Sequence, residues 1–290
     1  MNVWADILLS GVTVGALYVL VGHGFNLVYL TTHTFNFAQG QFVAAGGLLT
    51  YVLVTQGFSL AGVVAVIVFV ALVGVIEEKI AVTPTLKRQD SEVWLVSTLG
   101  VSILIQGALA LVFGNDPLQV PLPHSEDIVT FAGTRQTVAG YIVIASALVF
   151  TVALVVVLRL SWIGRALRAV AEDSRAAQAI GINTAALISG SFAISAALGA
   201  AAGILAAPMT FARADLGSTL LIQVFIVLAI GGFGSTAGLL VVGVALGVFE
   251  AVVKYTLGGS YVSILEFLLL LIALTVRPAG LFAGRAPRDV

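Results

Sequence analysis

The chain reads as an all-α polytopic membrane protein, and three observations predict it. Of its 290 residues 60% are hydrophobic and only 9% charged, against roughly 25% charged in a soluble globule. Apolar runs of the length that crosses a bilayer, about 20 residues, recur from end to end. The few basic residues gather mainly in the connections between those runs. Residues 1–290 are therefore expected to form one transmembrane domain, with 161–183 as a charged segment inside it.

Nine runs are candidate spans: 7–30, 37–54, 60–80, 93–113, 139–160, 185–207, 220–232, 239–257 and 262–276. The second and seventh are interrupted by polar residues and glycines, so eight, nine or ten crossings fit. Lys79, Lys87 and Arg88 follow the third run. Arg159, Arg165, Arg168 and Arg175 follow the fifth, and Arg277, Arg285 and Arg288 follow the last. The connection 114–138 carries Asp116, His124, Glu126 and Asp127 against a lone Arg135. Cytoplasmic connections are the ones enriched in Lys and Arg, which puts the three basic clusters inside and the acidic connection outside. With nine spans the N-terminus is outside and the C-terminus cytoplasmic. The first basic residue is Lys79, so a secretory signal with a charged start is not expected. Thirty-one glycines suit close helix approach in lipid. The lack of cysteine excludes disulfide and thiol chemistry, and a net charge of −1 speaks against nucleic acid.

Two polar or glycine breaks, residues 36–41 and 231–235, flank apolar runs. Broken segments in corresponding positions of two halves suggest an inverted repeat with a pathway at its interface; glycines that merely pack helices would read the same way. Gly11/Gly15, Gly199/Gly203 and Gly243/Gly247 have the spacing of close helix crossings and are expected to pack within the subunit.

The segment 163–182 is the only long charged helix in the sequence. Ile163, Leu167, Val170, Ala171, Ser174, Ala177 and Ile180 share one helical stripe, and Arg165, Arg168, Glu172 and Arg175 fall away from it. Asp173 can cap a short helix over 174–180, Gly181 supplies the left-handed residue that ends it, and Asn183 caps the next span. Two readings fit: a compact knob for a groove on a soluble partner, or an amphipathic connector on the membrane surface.

Ala176-Ala177-Gln178-Ala179-Ile180-Gly181 resembles the coupling motif of ABC importer permeases, with Arg175 where glutamate is usual. Gly164-Arg165-Ala166, Ala171-Glu172-Asp173 and Gly181-Ile182-Asn183 resemble the branched-chain amino-acid importer permeases. Asn36-Phe37-Ala38-x-Gly40, Gly231-Gly232-Phe233-Gly234-Ser235 and Arg277-Pro278-x-Gly280 match that family's H-type subunit in order. The resemblance implies the ABC importer permease fold and import of branched-chain or other hydrophobic amino acids. It also implies an M-type permease partner, two cytoplasmic ATPases that use ATP and Mg, and an extracytoplasmic binding protein, all at a bacterial inner membrane. Coupling would fall to Arg168, Glu172, Asp173, Arg175, Ala176, Ala177 and Gly181. The chain itself agrees that ATP is hydrolysed elsewhere. A Walker A loop needs glycine immediately before its lysine, and Lys79, Lys87 and Lys254 follow Glu78, Leu86 and Val253.

Relatives commonly carry histidine, glutamate and lysine where this chain has Gln39, Gln41 and Gln223. Since an unpaired buried charge is costly in a membrane, a former ion pair is expected to have become a facing amide pair of Gln41 and Gln223. With Asn36 and Gln106, these glutamines are the candidate substrate pathway. A more amide-lined path would equally suit urea, short amides or aromatic carboxylates. Gln106 either lines that path or ties two helices together. Glu250 and Lys254 have the i,i+4 spacing of a same-face pair that Glu266 could join, as a clamp or a relay. His23, His33 and His124 lack metal-ligand spacing, and no catalytic constellation is apparent. The rivals from other classes are an ATP-independent secondary transporter or channel and a structural scaffold.

Overall fold

The computed structural model describes residues 3–57, 59–86, 93–131 and 133–282; Lys87, Arg88, Arg285 and Arg288 lie outside them. Helices α1 (Val3–Thr32), α2 (Gln39–Gln56) and α3 (Leu60–Glu77) open the chain, and a π-helical turn, Glu78–Val82, carries α3 into the short α4 (Thr83–Leu86). Then come α5 (Val93–Phe113), a hairpin of β1 (Ile128–Phe131) and β2 (Thr134–Thr137), and α6 (Val138–Leu160). Two short helices, α7 (Trp162–Glu172) and α8 (Ser174–Ala179), lead into α9 (Thr184–Thr210), α10 (Leu216–Gly231) and α11 (Thr236–Thr256). After a 3-10 turn at Gly259–Tyr261, α12 (Val262–Val276) ends the described helices.

Every expected span contains a helix. Seven described helices are long and apolar enough to cross a bilayer: α1, α3 with its continuation to Leu86, α5, α6, α9, α11, and α12 with its 3-10 turn. The remaining two are the interrupted runs. α10 has 16 residues, about 24 Å at 1.5 Å per residue, which falls short of a hydrocarbon core of about 30 Å. α2 begins with two glutamines and buries residues 39–48 without a break, so protein rather than lipid surrounds its first half.

Small residues set the core spacing. A Cβ on Gly11 would sit 2.6 Å from Val248 Cα, and one on Gly15 2.6 Å from the Gly243 carbonyl oxygen, so the α1–α11 crossing admits no side chain. Gly199 and Gly203 meet α2 in the same way, at Phe42 and Gly47. The glycine pairs thus pack within the subunit, where dispersion, not the hydrophobic effect, holds helices together in lipid.

The bundle has two ends. At one, the hairpin covers the start of α1: Arg135 N–H donates to Asp6 Oδ1 (2.7 Å) and Gln136 Nε2 to Thr13 Oγ1 (2.7 Å). Leu118 pairs with Ala212, and Trp4 meets Tyr255 edge-on. The β-branched residues Ile128, Val129, Thr130, Thr134 and Thr137 favour this pairing, which is the departure from an all-helical chain. At the other end lie α7 and α8, the end of α1 and the 231–235 break. There Phe35 packs at once on Tyr29, Trp94, Phe225 and Phe233, with centroids 4.6–5.8 Å away.

An inverted repeat organises the whole. α1 packs on α11 as α9 packs on α3, α2 on α9 as α10 on α1, and α2 on α3 and α5 as α10 on α11 and α12. α6 lies between the halves and reverses their direction. The short helices α2 and α10 meet by their first turns, where a Cβ on Gly40 would sit 2.8 Å from the Gly217 carbonyl carbon. One interval carries Gln39 onto Leu216, Gly40 onto Gly217 and Gln41 onto Ser218. The partner of the 36–41 break is therefore 213–218. The 231–235 break, expected in that role, instead corresponds to the connection between α2 and α3.

Candidate functional site

Ser161 begins the charged segment by accepting from Gly164 N–H (3.0 Å), which caps α7. Asp173 then breaks the helix. Its backbone is extended and its Oδ1 accepts from the N–H groups of Arg175 (2.8 Å) and Ala176 (3.0 Å). Those two donors, Ala176 first, and then the Arg175 charge hold the Asp173 carboxyl below the usual carboxylate range. Gly181, at φ 88°, ends α8: its N–H reaches the Gln178 carbonyl (3.0 Å), and Ile182 N–H reaches that of Ala177 (3.0 Å). Asn183 caps α9 through Ala186 N–H (3.0 Å), and Gln178 donates to Thr184 Oγ1 (2.7 Å).

The caps form as the sequence predicts, but the single stripe does not. Leu167, Val170 and Ala177 are buried, whereas Ile163, in the first turn of α7, is 49% exposed and Ile180, beyond the break at Asp173, is 75% exposed. The exposed surface of α8 is Arg175, Ala176, Gln178 and Ala179, with Ile180 beside them and Glu172 just before. Arg168 is turned the other way. Its Nη1 donates to the Leu158 carbonyl (3.0 Å), and with Arg159 and Ser235 it lines a cleft of about 440 Å³ along α6.

The five pathway residues divide into three places. Asn36 is buried, accepts Ala38 N–H (2.8 Å) and donates to Glu77 Oε2 (2.9 Å). Gln39 is locked to α9: its Nε2 donates to the Ser195 carbonyl (2.9 Å) and its Oε1 faces the Ser195 hydroxyl (2.6 Å). Gln41 donates to Ser218 Oγ (3.0 Å) and Ser102 Oγ (3.4 Å), and Ser218 in turn reaches Gln106 Oε1 (3.4 Å). That chain ties α2, α10 and α5 beside the contact of Gly40 with Gly217. Gln223 is not in it. Five residues beyond Ser218 it faces a different side of α10 and lines a cavity with Tyr18, Arg213, Glu250 and Lys254. The expected pairing of Gln41 with Gln223 is therefore wrong, and a buried Gln41 Oε1 is left without a hydrogen-bond partner.

Sequence reasoning missed Glu77 and Glu78, both buried. Glu77 takes Asn36; Glu78 takes Thr83 and, through Oε2, Ser189 on α9 (2.7 Å). Consecutive helical residues point about 100° apart, so the pair grips the α1–α2 connection with one carboxyl and α9 with the other. Two adjacent acids inside an apolar run were the available signal, since such groups are rare and functional by default. Glu250 accepts from Lys254 and from the Tyr18 hydroxyl, and Glu266 is buried on α12 with Oε1 unpartnered.

Residues 7–274 match the family described as branched-chain amino acid transport system / permease component. The high-affinity branched-chain amino acid transport system permease protein LivH of Escherichia coli is 30% identical, with 94% of this chain and 93% of that protein covered. BraD of Pseudomonas aeruginosa, described in the same words, is 31% identical over 94% of each, and the probable LivH of Methanocaldococcus jannaschii is 26% identical over 91% of this chain and 88% of its own length. Among solved structures, PsaBC from Streptococcus pneumoniae in complex with Fab shares the fold, with TM-score 0.52 and 12% identity over 96% of this chain and 93% of that one. The chain belongs to the family of branched-chain amino acid transport system permease components.

Proposed function

We propose that this chain is one of two permease halves of a binding-protein-dependent ABC importer that carries small hydrophobic amino acids, branched-chain ones first, into the cytoplasm. An M-type permease is the other half, two cytoplasmic ATPases hydrolyse ATP with Mg, and an extracytoplasmic binding protein delivers the solute. The names of the relatives at 30% and 31% identity support the solute class. The coupling end faces the cytoplasm at a bacterial inner membrane. Lys79, Arg159, Arg165, Arg168, Arg175 and Arg277 gather there, as cytoplasmic connections require. The hairpin end, with Asp116, Glu126 and Asp127 around it, receives the binding protein.

The observation that carries the reading is the doubly capped knob of α8. It is small, exposed at Ile180, and joined to α9 without slack by the Asn183 cap and the Gln178–Thr184 hydrogen bond. Movement of a docked ATPase at α8 is thereby passed to α9, and from α9 to Glu78 through Ser189.

The test is the reconstituted assembly in vesicles with ATP inside and binding protein outside. Changing Ile180→Asp lowers ATP-driven uptake of labelled leucine tenfold or more, while leucine binding by the binding protein is unchanged. Uptake by the purified chain alone, with neither nucleotide nor companions, would overturn the reading.

A further inference from the structure

A cavity of about 230 Å³ lies towards the hairpin end between α1, α10 and α11. Val14, Leu17, Leu216 and Leu220 give it an apolar side; Arg213, Lys254, Glu250 and Gln223 give it a polar one. We propose that this cavity takes the transported solute itself, as a small carboxylate with an apolar tail. Arg213 and Lys254 receive the carboxylate, and Gln223 accepts from an α-ammonium where the solute has one. The proposal rests on the importer reading above and narrows it, because urea and short amides carry no charge to meet the two cations.

Three observations support it. The first is charge. Glu250 is already engaged by Tyr18 and Lys254, so the two cations of the lining outnumber its acid. Asp215, outside the lining, forms an ion pair with Arg213 at 3.3 Å and is the acid that a bound carboxylate would displace. The second is an unmet acceptor: Gln223 Oε1 is buried and has no partner, which leaves it a lone pair for an N–H donor. The third is size. Sites for drug-sized ligands run from about 300 to 1,000 Å³, so this one suits a single small solute.

The repeat explains why the cavity is open here and closed at the matching place. The interval that carries Gly40 onto Gly217 carries Asn36 onto Arg213 and Glu77 onto Lys254. Asn36 and Glu77 are hydrogen-bonded and buried. Arg213 and Lys254 flank a cavity instead, with side chains 36% and 53% exposed. One end of the pathway is shut and the other open, as alternating access between two repeats demands.

The test uses the complete assembly in lipid nanodiscs, without binding protein or nucleotide. Three probes are titrated: L-leucine, 4-methylpentanoate, which lacks the ammonium, and L-leucinamide, which lacks the carboxylate. Leucine is expected to bind tightest, 4-methylpentanoate within about tenfold of it, and leucinamide at least tenfold more weakly than 4-methylpentanoate. Arg213→Gln weakens both carboxylates at least tenfold and Arg213→Lys restores most of that. Gln223→Leu weakens leucine several-fold but leaves 4-methylpentanoate within twofold, a split that misfolding would not produce. Leucinamide binding as tightly as leucine overturns the proposal, as does leucine binding that ignores both substitutions. An assembly that imports leucine with ATP yet shows no such binding overturns the proposal alone. An assembly with the predicted binding but no ATP-driven uptake supports the cavity and sinks the importer reading.

Discussion

Removing the Asp173 carboxylate frees the amides of Arg175 and Ala176 at once. Asp173→Ala is expected to speed hydrogen exchange at those two amides and to cut uptake several-fold, while Asp173→Asn keeps both because its side-chain oxygen still accepts. The two differ in pH dependence. The folded carboxyl titrates below its unfolded value, so the wild-type cap is complete above the ordinary carboxylate range and fades as pH falls through the folded value. Protection in Asp173→Asn should not change across that window. This cap was legible because its rule is local: an acid, two residues, a glycine. Gln39 shows the opposite case. Its amide is satisfied at both ends by Ser195, 156 positions away, and no local pattern announces such a partner. A Gln39→Leu change removes both hydrogen bonds to Ser195, each worth about 0.5–1.5 kcal/mol of stability, as measured by thermal unfolding in detergent.

At the scale of the elements, helix existence was readable from apolar length alone, while the exceptions record tertiary demands. The π turn at Glu78–Val82 widens α3 where two acids must both find partners, and π turns are frequent at functional sites. Ser189→Ala cuts the Glu78 tie to α9 and leaves the Asn36–Glu77 bond in place. We expect it to lower leucine moved per ATP hydrolysed, with hydrolysis still stimulated by the binding protein. A fall of both in proportion would mean that the tie only stabilises the fold. The α1–α11 crossing predicts a harsher outcome. Gly15→Leu drives a side chain into the Gly243 backbone and should leave little monodisperse protein on size-exclusion chromatography.

At the scale of the molecule, the inverted repeat was half visible. The 36–41 break was found because asparagine and two glutamines interrupt an apolar run. Its partner at 213–218 was not, because Arg213 and Asp215 read as an ordinary charged connection and the equivalence shows only when α2 and α10 meet. The natural absence of cysteine makes the repeat testable without prior engineering. Asn36→Cys with Glu77→Cys and, separately, Arg213→Cys with Lys254→Cys should form disulfides in opposite nucleotide states of the assembly. Both pairs closing in one state would contradict alternation. On the importer reading proposed above, Pro208, two residues before the end of α9, sets where that alternation would bend the helix. Proline cannot donate to the carbonyl four residues back, so the helix is stiff where α8 drives it and slackens just before Arg213. A thrust entering at Thr184 then leaves as a swing at the far tip, the behaviour of a crank rather than a piston, and stiffening that tip with Pro208→Ala should slow uptake while ATP turnover continues.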